Sequence, residues 1–272
     1  MRTQAAPESV TYFSYRWADA LYKNKADFTK TFLHIQDFAT NKSVVDNRIS
    51  FGIYLDGVAA YNLGGTFFGT PEEFNKTIGP ELIRGVPAPS TVIVQKYNWI
   101  DYLILMSDKT DIREPLTGYD EHDTFFAKSI TVPEKNKLSA NALNAFFDLI
   151  KQGVDAPWFT IINLYGGPGS AINTKDTKFA AYKDRDSLWV FQNYGQTPTD
   201  KSIPFINKIN SVIINAQPDT DFAAYLNYVD PSYSAAEAHE LYYGAELYNK
   251  LAALKKKVDP KQVFWNPQAI GA

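Results

Sequence analysis

The chain has 272 residues, enough for one large domain or for a domain with an appendage. Its formal net charge is -3 with no basic block, which argues against nucleic acid or an anionic membrane as partner, and no apolar run approaches the roughly 20 residues of a membrane span. There is no cysteine, so disulfides, thiolate metal sites and cysteine nucleophiles are excluded, and the three scattered histidines (His34, His122, His239) do not make a metal site.

Aromatic residues make up 15% of the chain. Most of these rings are expected in a sheet core, and the sharper reading is a pocket whose rings stack on a sugar or an aromatic substrate. The opening MRTQAAPESVTYFSYRW lacks the apolar stretch of a signal peptide. Residues 9–17, SVTYFSYRW, read as a strand from their β-branched and aromatic side chains. Phe28, Phe32, Ile35 and Ala39 then fall at helical spacing, so 25–41 reads as an amphipathic helix with His34 beside the stripe, at the surface. Asp56-Gly57 between two strand-like runs predicts a hairpin with a type I′ turn. Pro71 opens a short helix, and STVIVQKYNW and HDTFFAKSITV read as two further strands.

Ser139 begins a helix carrying Leu143, Phe146, Phe147 and Ile150, which Gly153 stops. PWFTIINLYGG and DSLWVFQNYG are strands, and the glycines of GGPGSA (166–171) between them read as a turn. That segment lacks the following helix and acidic partner of a dinucleotide fingerprint. A helix is expected over 200–216, with Pro204 in its first turn and Phe205, Ile206, Ile209, Val212 and Ile213 buried. Beyond Pro218 the character changes. AAYLNYVDP reads as extended, and Ser234 with Glu237 forms a capping box for a long helix. Ala238, Leu241, Tyr242, Ala245, Tyr248 and Ala252 stripe that helix, Lys255, Lys256 and Lys257 complement its C-terminal dipole, and Asp259-Pro260 ends it. The fold class is therefore α+β: an antiparallel sheet of six or seven strands with helices on one face, plus a C-terminal helical closing module. The expected division is 1–217 and 218–272.

The segment YLNYVDP, followed by YYGAELYNKLAALKKKVDPKQVFWNPQAI, resembles the berberine-bridge-enzyme-like closing module of flavin-dependent oxidases. Upstream, APESVTYFSYRW, FTIINLYGG and LWVFQNYG resemble the substrate-binding domain of that family, in the flavour of the fungal gluco-oligosaccharide and chito-oligosaccharide oxidases. The resemblance implies a vanillyl-alcohol-oxidase-type flavoprotein that oxidises a carbohydrate hydroxyl, such as oligosaccharide C1 to a lactone. It implies secretion, at which the sequons at Asn41 and Asn75 also hint. It also implies FAD held by an N-terminal domain of the family. That domain's phosphate-binding loops and its flavin-attaching His and Cys have no counterpart in this sequence. The chain is then expected to bind no FAD by itself, and to need a FAD domain or a partner chain. The alternative is a flavin-free binding module or an inactive fragment.

The resemblance makes Tyr225 the catalytic base; the competing reading is a buried strand tyrosine with a satisfied hydroxyl. A phenol titrating near 10 needs a cation, or hydrogen bonds to the phenolate, to serve at neutral pH. Strand alternation places Asn227 beside Tyr225, toward flavin or substrate, and Tyr228 on the opposite face; a turn-stabilising role for Asn227 is the alternative. Gln192 resembles a sugar-contacting glutamine, with Tyr194 its expected aromatic neighbour and Trp189 and Phe191 facing away. Asn163 falls near a position where related oxidases carry an Asp coupled to the base. Asn cannot supply that charge, so either the correspondence is displaced or the base is tuned differently. Trp99, Trp158 and Trp265 are expected in the core or at an interface, Trp265 where the closing segment meets the FAD domain.

Overall fold

The computed structural model describes residues 5–113 and 124–271, so His122 and the start of HDTFFAKSITV lie outside the described residues. Seven strands form one antiparallel sheet: β1 (Ser9–Arg16), β2 (Ile49–Asp56), β3 (Tyr61–Phe67), β4 (Thr91–Asn98), β5 (Phe125–Pro133), β6 (Trp158–Leu164) and β7 (Ser187–Gln196). Their spatial order is β4-β1-β3-β2-β6-β7-β5. A short helix α1 (Ala20–Lys23) precedes α2 (Lys25–Ala39). After β3 come α3 (Pro71–Glu73), a π-helical turn and α4 (Gly79–Leu82); α5 (Trp99–Ser107) follows β4. Then come α6 (Ala140–Gln152), the single turn α7 (Ala171–Thr174), α8 (Thr199–Ala216) and α9 (Ala235–Val258).

Alternation decides which face of the sheet is dry. Phe13, Tyr15, Ile53, Leu55, Leu63, Ile162, Trp189 and Phe191 are buried against Phe28, Phe32, Leu143, Phe146, Ile206 and Ile209 of α2, α6 and α8. Edge-on ring contacts fill this layer, as between Phe28 and Tyr61 at 5.7 Å and between Phe146 and Phe191 at 6.0 Å. Asn24, Ser139 and Ser234 cap α2, α6 and α9, and the capping box of Ser234 with Glu237 is formed. Among the described residues the other face of the sheet carries no long helix except α5 at one side, where Tyr102 hydrogen-bonds Thr66.

Four local expectations are corrected. The β2–β3 connection is not a two-residue type I′ turn. Asp56 accepts the N–H groups of Val58 and Ala60, and the left-handed position falls on Ala59 (φ 66), not Gly57. Pro204 lies inside α8, past its first turn, because the helix already starts at Thr199. The long C-terminal helix is two: Gly244, at φ 66 and ψ 163, breaks α9, and beyond it Ala245 is exposed rather than buried. Finally, 225–228 is a turn rather than a strand, closed by the Tyr228 N–H on the Tyr225 carbonyl at 2.9 Å. The helix α5, whose sequence WIDYLILMS buries no side chain, was not anticipated.

The closing module folds onto itself. Its own small core is Ala224, Ala238 and Tyr242. Asp259 pairs with Lys255 and accepts the N–H groups of Val263 and Phe264, so the Asp-Pro that ends α9 also shapes the tail. His239 sits under Tyr248 at 4.2 Å and its Nε2 meets the Gln268 carbonyl at 3.0 Å. His34 is half-buried, with Nε2 2.8 Å from the Glu81 carbonyl. Trp158 is buried, Trp99 half-buried and Trp265 exposed, with Phe264 beside it also exposed.

Candidate active site on the open face of the sheet

On β7, Gln192 and Tyr194 point to the open face while Trp189 and Phe191 enter the core. The turn at 225–228 lies over this end of the sheet, held by the bridge between Thr131 and Ala223 and by the Tyr225 N–H on the Ser129 hydroxyl at 2.9 Å. Because the segment turns, Tyr228 shares a side with Tyr225, their ring centroids 5.7 Å apart. Strand alternation had placed it opposite, and that placement is overturned.

The hydroxyls form an ordered chain. The Tyr228 hydroxyl donates to Gln192 Oε1 at 2.8 Å and also meets the Tyr194 hydroxyl. An amide oxygen only accepts, so the single Tyr228 proton goes to Gln192 and Tyr194 must donate to Tyr228. The Gln192 NH2 group is left as a donor. Asn227 donates its amide to the Tyr225 hydroxyl at 2.8 Å, which unites its two sequence readings: it sits in a turn and touches Tyr225. Around Tyr225 stand Tyr165 at 5.7 Å and Tyr182 at 6.3 Å, ring centre to ring centre and nearly perpendicular. Asn163 is not in this group. It lies on β6 opposite Gly52, in a shallow hollow of about 250 Å³ that Tyr12, Tyr54 and Met106 also line.

Electrostatics keep the surrounding phenols protonated. Burial, and next its hydrogen bond to Tyr225, hold Tyr165 above the ordinary phenol range. Burial pushes Tyr182 up to about 12, and burial together with the contact to Tyr194 raises Tyr228. Asp184, two residues from Tyr182, is pushed up to about 7 by burial, with Asp186 adding to the rise and Lys183 opposing it. Tyr225 thus has hydrogen-bond donors in Asn227 and Tyr165. The Arg185 guanidinium sits behind them, 5.3 Å from the Tyr182 ring.

Sequence reasoning missed Tyr165, Tyr182, Tyr228 and the stacked pair Tyr54 and Phe159. Tyr165 had a signal, for it continues the alternation from Asn163. Tyr182 reaches the site from an irregular loop and had none.

The glycine-rich loop 166–171 does not fit the pyrophosphate of a flavin nucleotide. In the loop 166–171 the Gly167 N–H, where a phosphate would be cradled, is already bonded to the Glu134 carboxylate at 2.9 Å. A carboxylate at that point repels phosphate, and α7 behind it is only one turn long. No group of at least three His, Asp or Glu suited to a metal ion occurs among the described residues. No helix among them is long and apolar enough to cross a membrane.

Residues 224–271 match the family described as "Berberine and berberine like". The chain is 29% identical to the carbohydrate oxidase of Microdochium nivale, an alignment covering 99% of this chain and 54% of that protein. It is 27% identical to the glucooligosaccharide oxidase of Sarocladium strictum over 98% of this chain and 54% of that one. Among solved structures, the Microdochium nivale enzyme in complex with a substrate analogue superposes with a TM-score of 0.81 at 26% identity, covering 97% of this chain and 56% of that chain. The Acremonium strictum glucooligosaccharide oxidase, whose structural study concerns its 6-S-cysteinyl, 8α-N1-histidyl FAD, does so with a TM-score of 0.82 at 25% identity, covering 97% and 56%. The chain spans about half the length of the relatives it matches. Over nearly its whole length it is homologous to fungal carbohydrate oxidases with a berberine-like segment, and it corresponds to about half of such an enzyme.

Proposed function

We propose that the chain forms the substrate-binding and closing portion of a FAD-dependent oxidase that converts a carbohydrate hydroxyl, in the first instance C1 of an oligosaccharide, to a lactone. The carrying observation is the convergence of Gln192, Tyr194, Tyr228, Tyr225 and Asn227 on the open sheet face. In this reading FAD is the hydride acceptor and is supplied by a flavin-binding domain or partner chain. In this reading its nucleotide site is supplied with it, and the loop 166–171 plays no part in holding the phosphates.

The chain supplies the sugar side. The Gln192 NH2 group donates to a sugar hydroxyl, while the Tyr194–Tyr228 relay fixes its orientation. Tyr225 takes the proton of the reacting hydroxyl, and Asn227 and Tyr165 stabilise the oxygen that holds it. Asn163, one strand further across the sheet, serves a more distant part of the substrate. The boundary near 217/218 is part of the proposal, supported by the separate small core around Tyr242. Secretion is supported by the sequon at Asn75, which is exposed, and the one at Asn41, which is half-buried.

Two measurements test the reading on the purified chain. The visible spectrum is recorded before and after FAD addition and desalting. Loss of all flavin colour is expected, and retained absorbance near 450 nm (about the flavin maximum) would overturn an external flavin site. Tyrosine and tryptophan fluorescence is titrated with neutral oligosaccharides. Saturable quenching is expected, and its absence removes the sugar site. The second reading is a flavin-free binding module or inactive fragment. It predicts sugar binding without turnover even when a flavin-bearing portion is supplied.

A further inference from the structure

The open face continues well beyond Tyr225. In register, Gln192 faces Ile161, Ile161 faces Tyr54, Tyr54 faces Asn62, and Asn62 faces Arg16. This row crosses five adjacent strands, β7-β6-β2-β3-β1. At a strand spacing of about 4.8 Å, its four steps cover about 19 Å, the length of a short oligosaccharide rather than of one sugar. The row runs beside open space. Arg16, Tyr54 and Asn62 line both the 250 Å³ hollow and a second one of about 630 Å³. The floor of the smaller hollow is low because Gly52 pairs with Gly64 on neighbouring strands and neither puts a side chain on the face, the Asn163 side chain taking the space over Gly52.

The chemistry changes along the row. At the Gln192 end the polar groups are neutral. In the middle, Tyr54 stacks on Phe159 at 5.8 Å, and Phe159 on Tyr194 at 4.6 Å. These rings stand face to face, and Tyr54 ends the stack on the strand next to Asn62. At the far end, Arg16 is exposed and has no side-chain hydrogen bond or ion pair among the described residues. The two acids that share its hollow are engaged elsewhere: Asp56 accepts two backbone N–H groups of its turn, and Asp19 pairs with Lys23. A guanidinium fork suits a carboxylate.

Resting on the carbohydrate reading above, we infer that this row is an extended subsite for an oligosaccharide bearing a carboxylate, a uronic acid, on the unit farthest from the oxidised end. Arg16 receives the carboxylate, Tyr54 packs on the preceding ring, and Asn62 bonds a hydroxyl between them.

The test is calorimetric titration of the 272-residue chain with three probes: xylotriose, xylotriose carrying glucuronic acid on its nonreducing unit, and free glucuronic acid. The acidic oligosaccharide is expected to bind about tenfold more tightly than xylotriose, the worth of one charge-assisted pair. Arg16→Gln should erase that preference without changing xylotriose affinity, Arg16→Lys should restore part of it, and added salt should narrow it. Thermal melting checks that both variants remain folded. Equal affinity for the two oligosaccharides overturns the role of Arg16 and leaves the sugar site standing. Free glucuronic acid matching the acidic oligosaccharide marks a bare anion site and overturns the extended groove. No binding of any probe overturns this inference together with the carbohydrate reading.

Discussion

Tyr225 differs from an ordinary surface tyrosine in what surrounds its oxygen. Asn227 donates to it at 2.8 Å, and Tyr165 is held protonated beside it by burial. Tyr225→Phe keeps the ring contacts with Tyr165 and Tyr228 and removes the proposed base. In the chain combined with a flavin-bearing portion, turnover should fall by about a hundredfold or more, while KM and direct sugar affinity stay within a few-fold. Turnover near the original rate would remove Tyr225 as base. Asp184 makes a separate prediction. Its folded pKa of about 7 exceeds the unfolded value near 3.8, so the folded state holds more protons between these limits. Stability from this group is complete below about pH 4 and is lost as pH rises through about 7, on the order of 2–4 kcal/mol. Urea denaturation at pH 5 and pH 8 should show that loss, and Asp184→Asn should flatten it.

At the scale of elements, Gly244 is the joint of the closing module. Its φ of 66 with ψ of 163 belongs to a region nearly reserved for glycine, and an added Cβ would stand 3.4 Å from Lys183 Cδ. Gly244→Ala should cost about 1–3 kcal/mol, felt within the module. Amide exchange should quicken around Tyr242 and stay unchanged in β2 and β6. Uniform acceleration would mean that the break is not a local joint. The same glycine shows where sequence reading ran out. The stripe from Ala238 to Ala252 reads as one helix because periodicity reports side-chain spacing, not the backbone angle between two helical segments. The strands were more legible. Alternation is clear in β2 and most of β6, and one face of the sheet is buried under Phe28, Phe146 and Ile206. The turn 225–228 was misread for a related reason. Its two tyrosines and leucine look strand-like, but the Tyr225 carbonyl is spent on Tyr228 instead of on a neighbouring strand.

At the scale of the whole molecule, the site exists only because the closing module is fixed against β5. The sequence suggested Tyr225 and Gln192 separately, each from its motif. It carried no sign that Tyr228 joins them, since their separation along the chain is closed by long-range contacts. The strongest of these is buried. Lys128 of β5 pairs with Asp230, two residues beyond Tyr228, with side-chain exposures of 9% and 2%. Asp230 also accepts from Ser232, and Lys128 lies 4.3 Å from the Tyr233 ring centre. Asp230→Asn keeps the shape and strands a buried ammonium, which should cost about 3–5 kcal/mol. Lys128→Met with Asp230→Leu removes both charges and should recover most of that loss. If the pair serves chiefly to set the register of the module, the double variant will be stable but will bind sugar poorly, because the 225–228 turn is no longer pinned over Gln192. Denaturation midpoints and oligosaccharide titrations of the two variants and the original chain separate the two effects. Equal stability of Asp230→Asn and the original chain would show that Lys128 finds another partner and that the module is held by its apolar contacts alone.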